Sequence, residues 1–328
     1  MKKTVALITG GFTGESVISL KSAEFVYGNI SREKYDVYKI IITEESWYYV
    51  DENDFEHPVN KNNFSIALND RTVTFDLAFI MLHGSPGEDG KLQSYFDMLA
   101  IPYTGCDALT SALTMNKGYT KAIVSDIENL HVARSVQLFF NTEDPVGKVG
   151  SALKLPLFVK TNNGGSSIGM SKVKTLDELP EALEKAFKED TQVLVEEFIS
   201  GREFTVGLYQ SREGITVLPA TEVISSKEFF DFEAKYTPGV TEEITPARMN
   251  EEERKRVEQI AKDVFKKLNC RGMVRIDYFL EAETGKFYFV EINTIPGQTP
   301  TSFIPQQVKA AGIDIKDFYN ELIEVALD

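Results

Sequence analysis

Three short apolar runs, residues 5–8, 37–42 and 77–82, punctuate the N-terminal third of the chain. Runs this short have the length of buried strands and fall far below a membrane span. After the first, the stretch from Glu15 places Val17, Leu20 and Tyr27 on one helical face and stops at Gly28-Asn29. After the third, Leu92, Tyr95, Phe96 and Leu99 line the inner face of another helix. Strands alternating with helices must run side by side in one direction, so this region is expected to build a parallel sheet.

Further along, helices are expected over 107–115 and 119–127 and strands over 135–140, 156–160 and 168–173. The next helix opens with Thr175-Leu176-Asp177-Glu178, a capping-box pattern. Strands follow at 193–198, 204–209 and 215–218, and a hairpin pairs 273–280 with 287–292. Residues 225–247 show no period and read as a long ordered loop, a length usually reserved for functional lids. A helix from Asn250 buries Val257, Ile260, Val264, Phe265 and Leu268. The fold class is α/β shading into α+β, in three units: 1–104, 105–190 and 191–328 with its loop 225–247.

Fifty acidic against thirty-five basic residues leave a formal charge of −15 in 328 residues. Such a surface disfavours general binding to nucleic acid or an anionic membrane, so an anionic substrate needs a locally basic pocket. Cys106 and Cys270 are far apart in sequence and form no CxxC pair, so neither structural zinc nor a disulfide framework follows. A reducing, cytoplasmic setting fits that usage. Met1-Lys2-Lys3-Thr4 precedes too short an apolar stretch for a secretory signal.

The chemistry concentrates in a few places. On the hairpin, Arg275 and Asp277 share a face of one strand, and Glu291 and Asn293 share a face of the other. Two carboxylates and an amide oxygen suit Mg²⁺, although the same spacing equally fits a cross-strand salt bridge. Lys160 leads into Thr161-Asn162-Asn163-Gly164-Gly165-Ser166-Ser167-Ile168-Gly169, a loop that can bring N–H groups and hydroxyls over a polyphosphate. Met170 follows where a Walker A motif has lysine, and alone the loop reads as a surface turn. The turn Gly10-Gly11-Phe12-Thr13-Gly14 does not match a dinucleotide fingerprint, and Glu15 after it suits a substrate ammonium better than a pyrophosphate. His83-Gly84 and Gly87-Glu88-Asp89-Gly90 follow the C-terminal end of an expected parallel strand, where such sheets bind ligands. Glu196-Glu197-Phe198-Ile199 with Glu203 forms an acid-flanked strand edge. His57 and His131 read as surface or packing residues.

In order and spacing, these segments resemble the ATP-grasp superfamily, and more closely the D-alanine–D-alanine ligase family, from about Val5 to about Phe303. The resemblance is carried by Leu82-His83-Gly84 with Gly87-Glu88-Asp89-Gly90, Ile101-Pro102-Tyr103-Thr104-Gly105, Asn116-Lys117, Lys160 with the 165–169 loop, Glu233-Ala234-Lys235-Tyr236, Arg275-Ile276-Asp277, and Glu291-Ile292-Asn293-Thr294-Ile295-Pro296-Gly297. It implies an N-terminal α/β domain and two α+β domains sandwiching ATP. It also implies an ADP-forming carboxylate–amine ligase that makes D-alanyl-D-alanine for peptidoglycan through a D-alanyl phosphate. Glu196, Glu197, Phe198 and Ile199 would then surround the adenine, Glu203 the ribose, and Lys117, Lys160, Ser166 and Lys235 the phosphates. Asp277, Glu291 and Asn293 would hold two Mg²⁺, with Mn²⁺ able to replace them. Glu15 and His83 would take the first D-alanine, Ser302 and Phe303 the second, and Arg275 with the Gly297 N–H the oxyanion. Tyr236 would close a chain to Ser166 and Glu15, and in the family a tyrosine there accompanies D-alanine as second substrate. A homodimer formed through the N-terminal block is implied too. Gln298 stands where methionine is common, and Ser16 follows Glu15 where the family often has arginine.

Three other readings bear on the same residues. Another ATP-grasp carboxylate–amine ligase would keep the nucleotide residues without needing Glu15, His83, Tyr236 and Ser302. A regulatory nucleotide binder would be expected to lack a metal acid or the arginine. A nicotinamide oxidoreductase would need a dinucleotide fingerprint.

Overall fold

Val5, Ala6, Leu7 and Ile8 are fully buried because their strand, β1 (Lys3–Gly10), is central in its sheet and its faces pack into one core with Ala23, Val26, Phe318 and Leu322. It pairs in parallel with β2 (Tyr35–Ile42) and with β7 (Leu77–Ile80), setting Val5 opposite both Val37 and Leu77. The parallel centre is thus three strands wide. Beyond β2 the chain turns antiparallel through β3 (Trp47–Val50), β4 (Glu56–Asn60), β5 (Ser65–Leu68) and β6 (Arg71–Val73), giving the order β6-β5-β4-β3-β2-β1-β7. These strands are only three to five residues long and carry too little alternation to be read from sequence. The computed structural model describes residues 2–69, 71–165, 169–225 and 241–328. Most of the expected loop 225–247, with Lys235 and Tyr236, therefore lies outside the described residues, as does Ser166, and its described end is not loop: residues 241–244 form a strand paired to 222–225.

Helix α1 (Ser16–Asn29) turns a different face inward than its apolar pattern suggests. Val17 and Leu20 are 56% and 42% exposed, while Ser19, Ser22, Ala23 and Val26 are buried. Small residues allow the helix backbone to lie close on the sheet, and the two serine hydroxyls are used by His83. Helix α2 (Lys91–Met98) buries Leu92 and Phe96 as expected, with Tyr95 and Leu99 packed at its margin.

The second stretch holds α3 (Ala108–Met115), α4 (Lys117–Val124), β8 (Leu130–Val132), β9 (Ser135–Phe139), α5 (Pro145–Ala152), β10 (Leu157–Thr161), β11 (Ser171–Val173), α6 (Leu179–Phe187) and β12 (Gln192–Glu197). Four of these strands form an antiparallel sheet in the order β11-β10-β12-β9, over a core that includes Leu138, Val159, Leu183 and Val195. Thr175 makes no cap hydrogen bond; its segment is a short 3₁₀ turn, and Glu178 accepts the Lys174 N–H at 2.7 Å instead.

The remainder comprises β13 (Gly201–Ser211), β14 (Gly214–Val217), β15 (Thr221–Ser225), β16 (Thr241–Ile244), α7 (Glu251–Lys267), β17 (Met273–Glu281), β18 (Phe287–Asn293), α8 (Phe303–Ala310) and α9 (Ile315–Leu327). The third sheet runs β16-β15-β13-β17-β18-β8, with β14 paired to β13. A capping box does exist at the start of α7. Asn250 Oδ1 accepts the Glu253 N–H at 2.9 Å, and Glu253 accepts the Asn250 N–H at 3.0 Å.

Sheet membership does not follow the linear cuts at 104 and 190. β12 completes the central sheet, and β8 joins the third sheet parallel to β18. Ile304, Val308, Phe318 and Leu322, near the C-terminus, pack into the core of the N-terminal sheet. Cys106 and Cys270, remote in sequence, are both buried in the third core, and both are free. No helix among the described residues is long and apolar enough to cross a membrane.

Candidate active site

The β17–β18 hairpin sets the chemistry at the centre of a cleft of about 1110 Å³ between the three sheets. Its register puts Arg275 opposite Asn293 and Asp277 opposite Glu291, with a bulge just after Asp277. The Arg275 guanidinium donates twice to Asp277, to Oδ1 and Oδ2, each at 3.0 Å. Thr205 also donates to Asp277, and Asn293 Nδ2 lies 3.5 Å from Asp277 Oδ2. Burial disfavours the Arg275 charge, but Asp277 outweighs it, with Glu291 and Glu88 adding, and the arginine is held above its ordinary range.

Phosphate-competent cations surround this hairpin. Asn116 caps α4 through the Tyr119 N–H at 3.0 Å, which places Lys117 at the first helical position facing the cleft. The Lys117 ammonium lies 3.4 Å from Glu291 Oε2 and donates to the Gly164 carbonyl, tying the 161–165 loop to the hairpin. On the facing central sheet, Lys160 of β10 pairs with Glu196 of β12 at 2.5 Å. Sequence reasoning missed Lys121, which pairs with the other oxygen of the same carboxylate. Burial alone would raise the Glu196 pKa, but Lys160 and Lys121 together hold it below the ordinary carboxylate value. Phe198 and Ile199 line the same wall, with Phe198 packed 5.6 Å from Phe158 and beneath the Lys172 ammonium. The Glu197 side chain turns away to accept the Lys154 N–H at 2.9 Å, so that residue offers the cleft chiefly its backbone. Glu203 lines the cleft from β13.

At the other end stands Glu15, the residue preceding α1. Its carboxylate lies so close to Gly84 and Gly165 that a Cβ on either would meet it at 2.9 Å or 2.8 Å. His83 is buried, and both ring nitrogens have protein partners. Nδ1 lies 2.8 Å from the Ile295 carbonyl, which can only accept, so Nδ1 carries the proton. Nε2 then accepts from the Ser22 hydroxyl at 3.1 Å, and that hydroxyl in turn accepts the Gln298 N–H. Burial drives the His83 pKa down, with Glu15 opposing, and the ring stays neutral. His83 therefore faces the cleft as a fixed wall. Glu88, within the Gly87–Gly90 motif, is a second residue whose place in the site the sequence alone does not reveal. It is buried in this wall and accepts the Gly84 N–H at 2.7 Å, and burial plus the Glu15 charge pushes its pKa up to about 8.

Gly297, Ser302 and Phe303 close the remaining side. Ser302 precedes α8, and its hydroxyl accepts the Thr299 N–H at 3.0 Å. The N-terminus of α8 points its free N–H groups here, a setting that favours a carboxylate. Gln298 does not line the cleft. It is buried, accepts the Tyr319 hydroxyl at 2.8 Å and donates to the Pro296 carbonyl at 3.1 Å.

The described residues hold no group of three or more His, Cys, Asp or Glu side chains able to bind a metal. Asp277, Glu291 and Asn293 nevertheless form an all-oxygen set with two acids. That suits a hard divalent cation whose remaining ligands come from phosphate and water.

An anion-competent cleft between an antiparallel sheet and a largely antiparallel one, with an α/β unit of parallel centre at its mouth, defines the ATP-grasp class of carboxylate–amine ligases. Residues 4–106 match the family profile of the D-ala D-ala ligase N-terminus and residues 127–324 that of the D-ala D-ala ligase C-terminus, so the chain belongs to the D-alanine–D-alanine ligase family. Curated D-alanine–D-alanine ligases of Bacteroides fragilis and Parabacteroides distasonis are each 44% identical, over 99% of this chain and 99% and 97% of theirs. Among solved structures, the VanG D-Ala:D-Ser ligase of Enterococcus faecalis has a TM-score of 0.89 at 35% identity, covering 99% of this chain and 100% of that one. The D-alanyl-alanine synthetase A of Vibrio cholerae also scores 0.89, at 30% identity, covering 99% and 98%.

Proposed function

We propose that this chain joins two D-alanines into D-alanyl-D-alanine, spending one ATP and releasing ADP and phosphate, as a cytoplasmic homodimer that supplies peptidoglycan precursors. The observation that carries the reading is that one cleft holds the Arg275–Asp277–Glu291–Asn293 hairpin, two cleft-facing lysines, and the Glu15–His83 wall.

In this reading the adenine lies against 196–199, with its amino group on Glu196, and the ribose hydroxyls meet Glu203. Lys117 and Lys160 offset phosphate charge, joined by Lys235 and Ser166. Asp277, Glu291 and Asn293 would hold two Mg²⁺, or Mn²⁺ in their place, which neutralise phosphate charge when bound. Glu15 accepts hydrogen bonds from the ammonium of the first D-alanine, while neutral His83 shapes the pocket around it. That D-alanine's carboxylate attacks the γ-phosphorus; the bond from that phosphorus to the ADP oxygen breaks, leaving D-alanyl phosphate. The amine of the second D-alanine then attacks the acyl carbon, phosphate departs with the C–O bonding pair, and the amine loses a proton. Arg275 and the Gly297 N–H stabilise the oxyanion, each such donor contributing about 3 kcal/mol in well-studied cases. Ser302 and the Phe303 N–H hold the second carboxylate. By the family resemblance, Tyr236 would act with Ser166 and Glu15 to exclude water from the acyl phosphate.

The test is phosphate release from Mg·ATP with D-alanine, with L-alanine, D-lactate and D-serine in parallel. D-serine belongs there because one similar structure is named a D-Ala:D-Ser ligase. Release that requires D-alanine and yields D-alanyl-D-alanine is the expected outcome. ATP binding without D-alanine-dependent release would retain the nucleotide site and discard the substrate.

A further inference from the structure

Behind the adenine wall, Lys121 is a buried ammonium that does not face the cleft. It lies four residues after Lys117, one turn along the same face of α4. Its Nζ donates to the Ala133 carbonyl at 2.8 Å and pairs with Glu196 Oε1. Lys160 holds the other oxygen from the cleft side. The two lysines are therefore not equivalent. Lys160 borders the nucleotide space and can turn toward a phosphate; Lys121 is anchored by a backbone carbonyl and has nowhere else to go.

We infer that Lys121 is a positioning residue that keeps Glu196 ionised and thereby sets the preference of the site for a 6-amino purine over a 6-oxo purine. An ionised carboxylate only accepts hydrogen bonds, so it takes the adenine amino group and repels a 6-oxo oxygen. A buried carboxylate that loses a counter-ion gains a proton more readily, and the protonated acid can donate to that oxygen. Both oxygens of Glu196 keep acceptor capacity beyond the two lysines, so the amino group need not displace Lys121. This inference rests on the ATP reading above, and its test reads nucleotide binding alone, without D-alanine.

The experiment measures binding of Mg·ATP and Mg·ITP by calorimetry to the full chain and to Lys121→Met, Lys121→Arg, Glu196→Gln and the double variant Lys121→Met/Glu196→Gln. Lys121→Met should cut the ATP-over-ITP preference by about tenfold or more, the size expected for a buried charge-assisted hydrogen bond. Lys121→Arg should restore most of it. In the Glu196→Gln background, Lys121→Met should change the preference by less than about twofold, since a residue acting through Glu196 has nothing left to act on. Kinetically, Lys121→Met should raise KM for ATP while leaving kcat and KM for D-alanine within about threefold. An unchanged ATP-over-ITP preference in Lys121→Met, or an equal loss in both backgrounds, overturns the inference. If Lys121→Met does not fold, Lys121→Gln, which keeps a donor without the charge, must show the same loss of preference. A wild-type chain that binds neither nucleotide overturns the ATP reading itself, whereas one that binds ATP but does not use D-alanine leaves the Lys121 test intact.

Discussion

At the residue scale the cleft is a set of charges held away from their ordinary behaviour. Glu88 is the clearest case, with its pKa raised from 4.5 to about 8, first by burial and then by Glu15. A carboxyl raised on folding is favoured in its protonated form. Its stabilising contribution is complete below about pH 4.5 and is lost as pH rises through about 8. The Glu88→Gln variant keeps a neutral group of the same shape, so it should lose less stability than the wild type between pH 6 and pH 9. Urea denaturation at both pH values checks this, and parallel losses in the two proteins would contradict it. Glu291 sits beside Lys117 and opposite Asp277. Glu291→Gln should lower turnover by at least about a hundredfold with no change in melting temperature beyond a few degrees. Near-normal phosphate release would remove Glu291 from the metal set. Glu88 was visible in sequence only as a motif letter; its burial between Glu15 and Arg275 arises from chain segments far apart.

At the element scale, local patterns read the long alternating hairpin and most helix faces, and miss the short strands and the face of α1. The hairpin at 273–293 is legible because its period-two alternation and turn-length link leave few alternatives. α1 is misread because Val17 and Leu20 look like a core face, yet the face chosen by the sheet is Ser19, Ser22, Ala23 and Val26. Caps show the same limit. Thr175 and Glu178 carry the capping-box spelling without its hydrogen bonds, whereas Asn250 and Glu253 make both of theirs. Asn250→Ala should therefore destabilise the protein by about 1 kcal/mol, measured by urea denaturation, while Thr175→Ala should cost much less.

At the scale of the whole molecule, the C-terminal helices close the N-terminal core, and Gln298 is the bolt between them. It holds the Tyr319 hydroxyl of α9, while its backbone N–H reaches Ser22 of α1. The family's common methionine in that place would strand a buried hydroxyl. Gln298→Met should cost about 1–3 kcal/mol of stability and leave the ratio of D-alanine to D-serine products unchanged, because the side chain does not border the cleft. Thermal denaturation and product analysis test the two halves separately, and a changed product ratio would refute the placement.

The sequence by itself determined the mixed α/β class, the hairpin with Arg275, Asp277, Glu291 and Asn293, and the family. These rest on periodicity and on ordered motifs, which are local or add along the chain. Only the tertiary structure decided that β12 completes the central sheet and β8 the third, that Lys121 stands behind Glu196, and that Cys106 and Cys270 share one buried core. It also decided that both ring nitrogens of His83 are engaged by Ile295 and Ser22. Each of these depends on which distant segments pack against one another, and burial and charge pairing, not spacing along the chain, fix that choice.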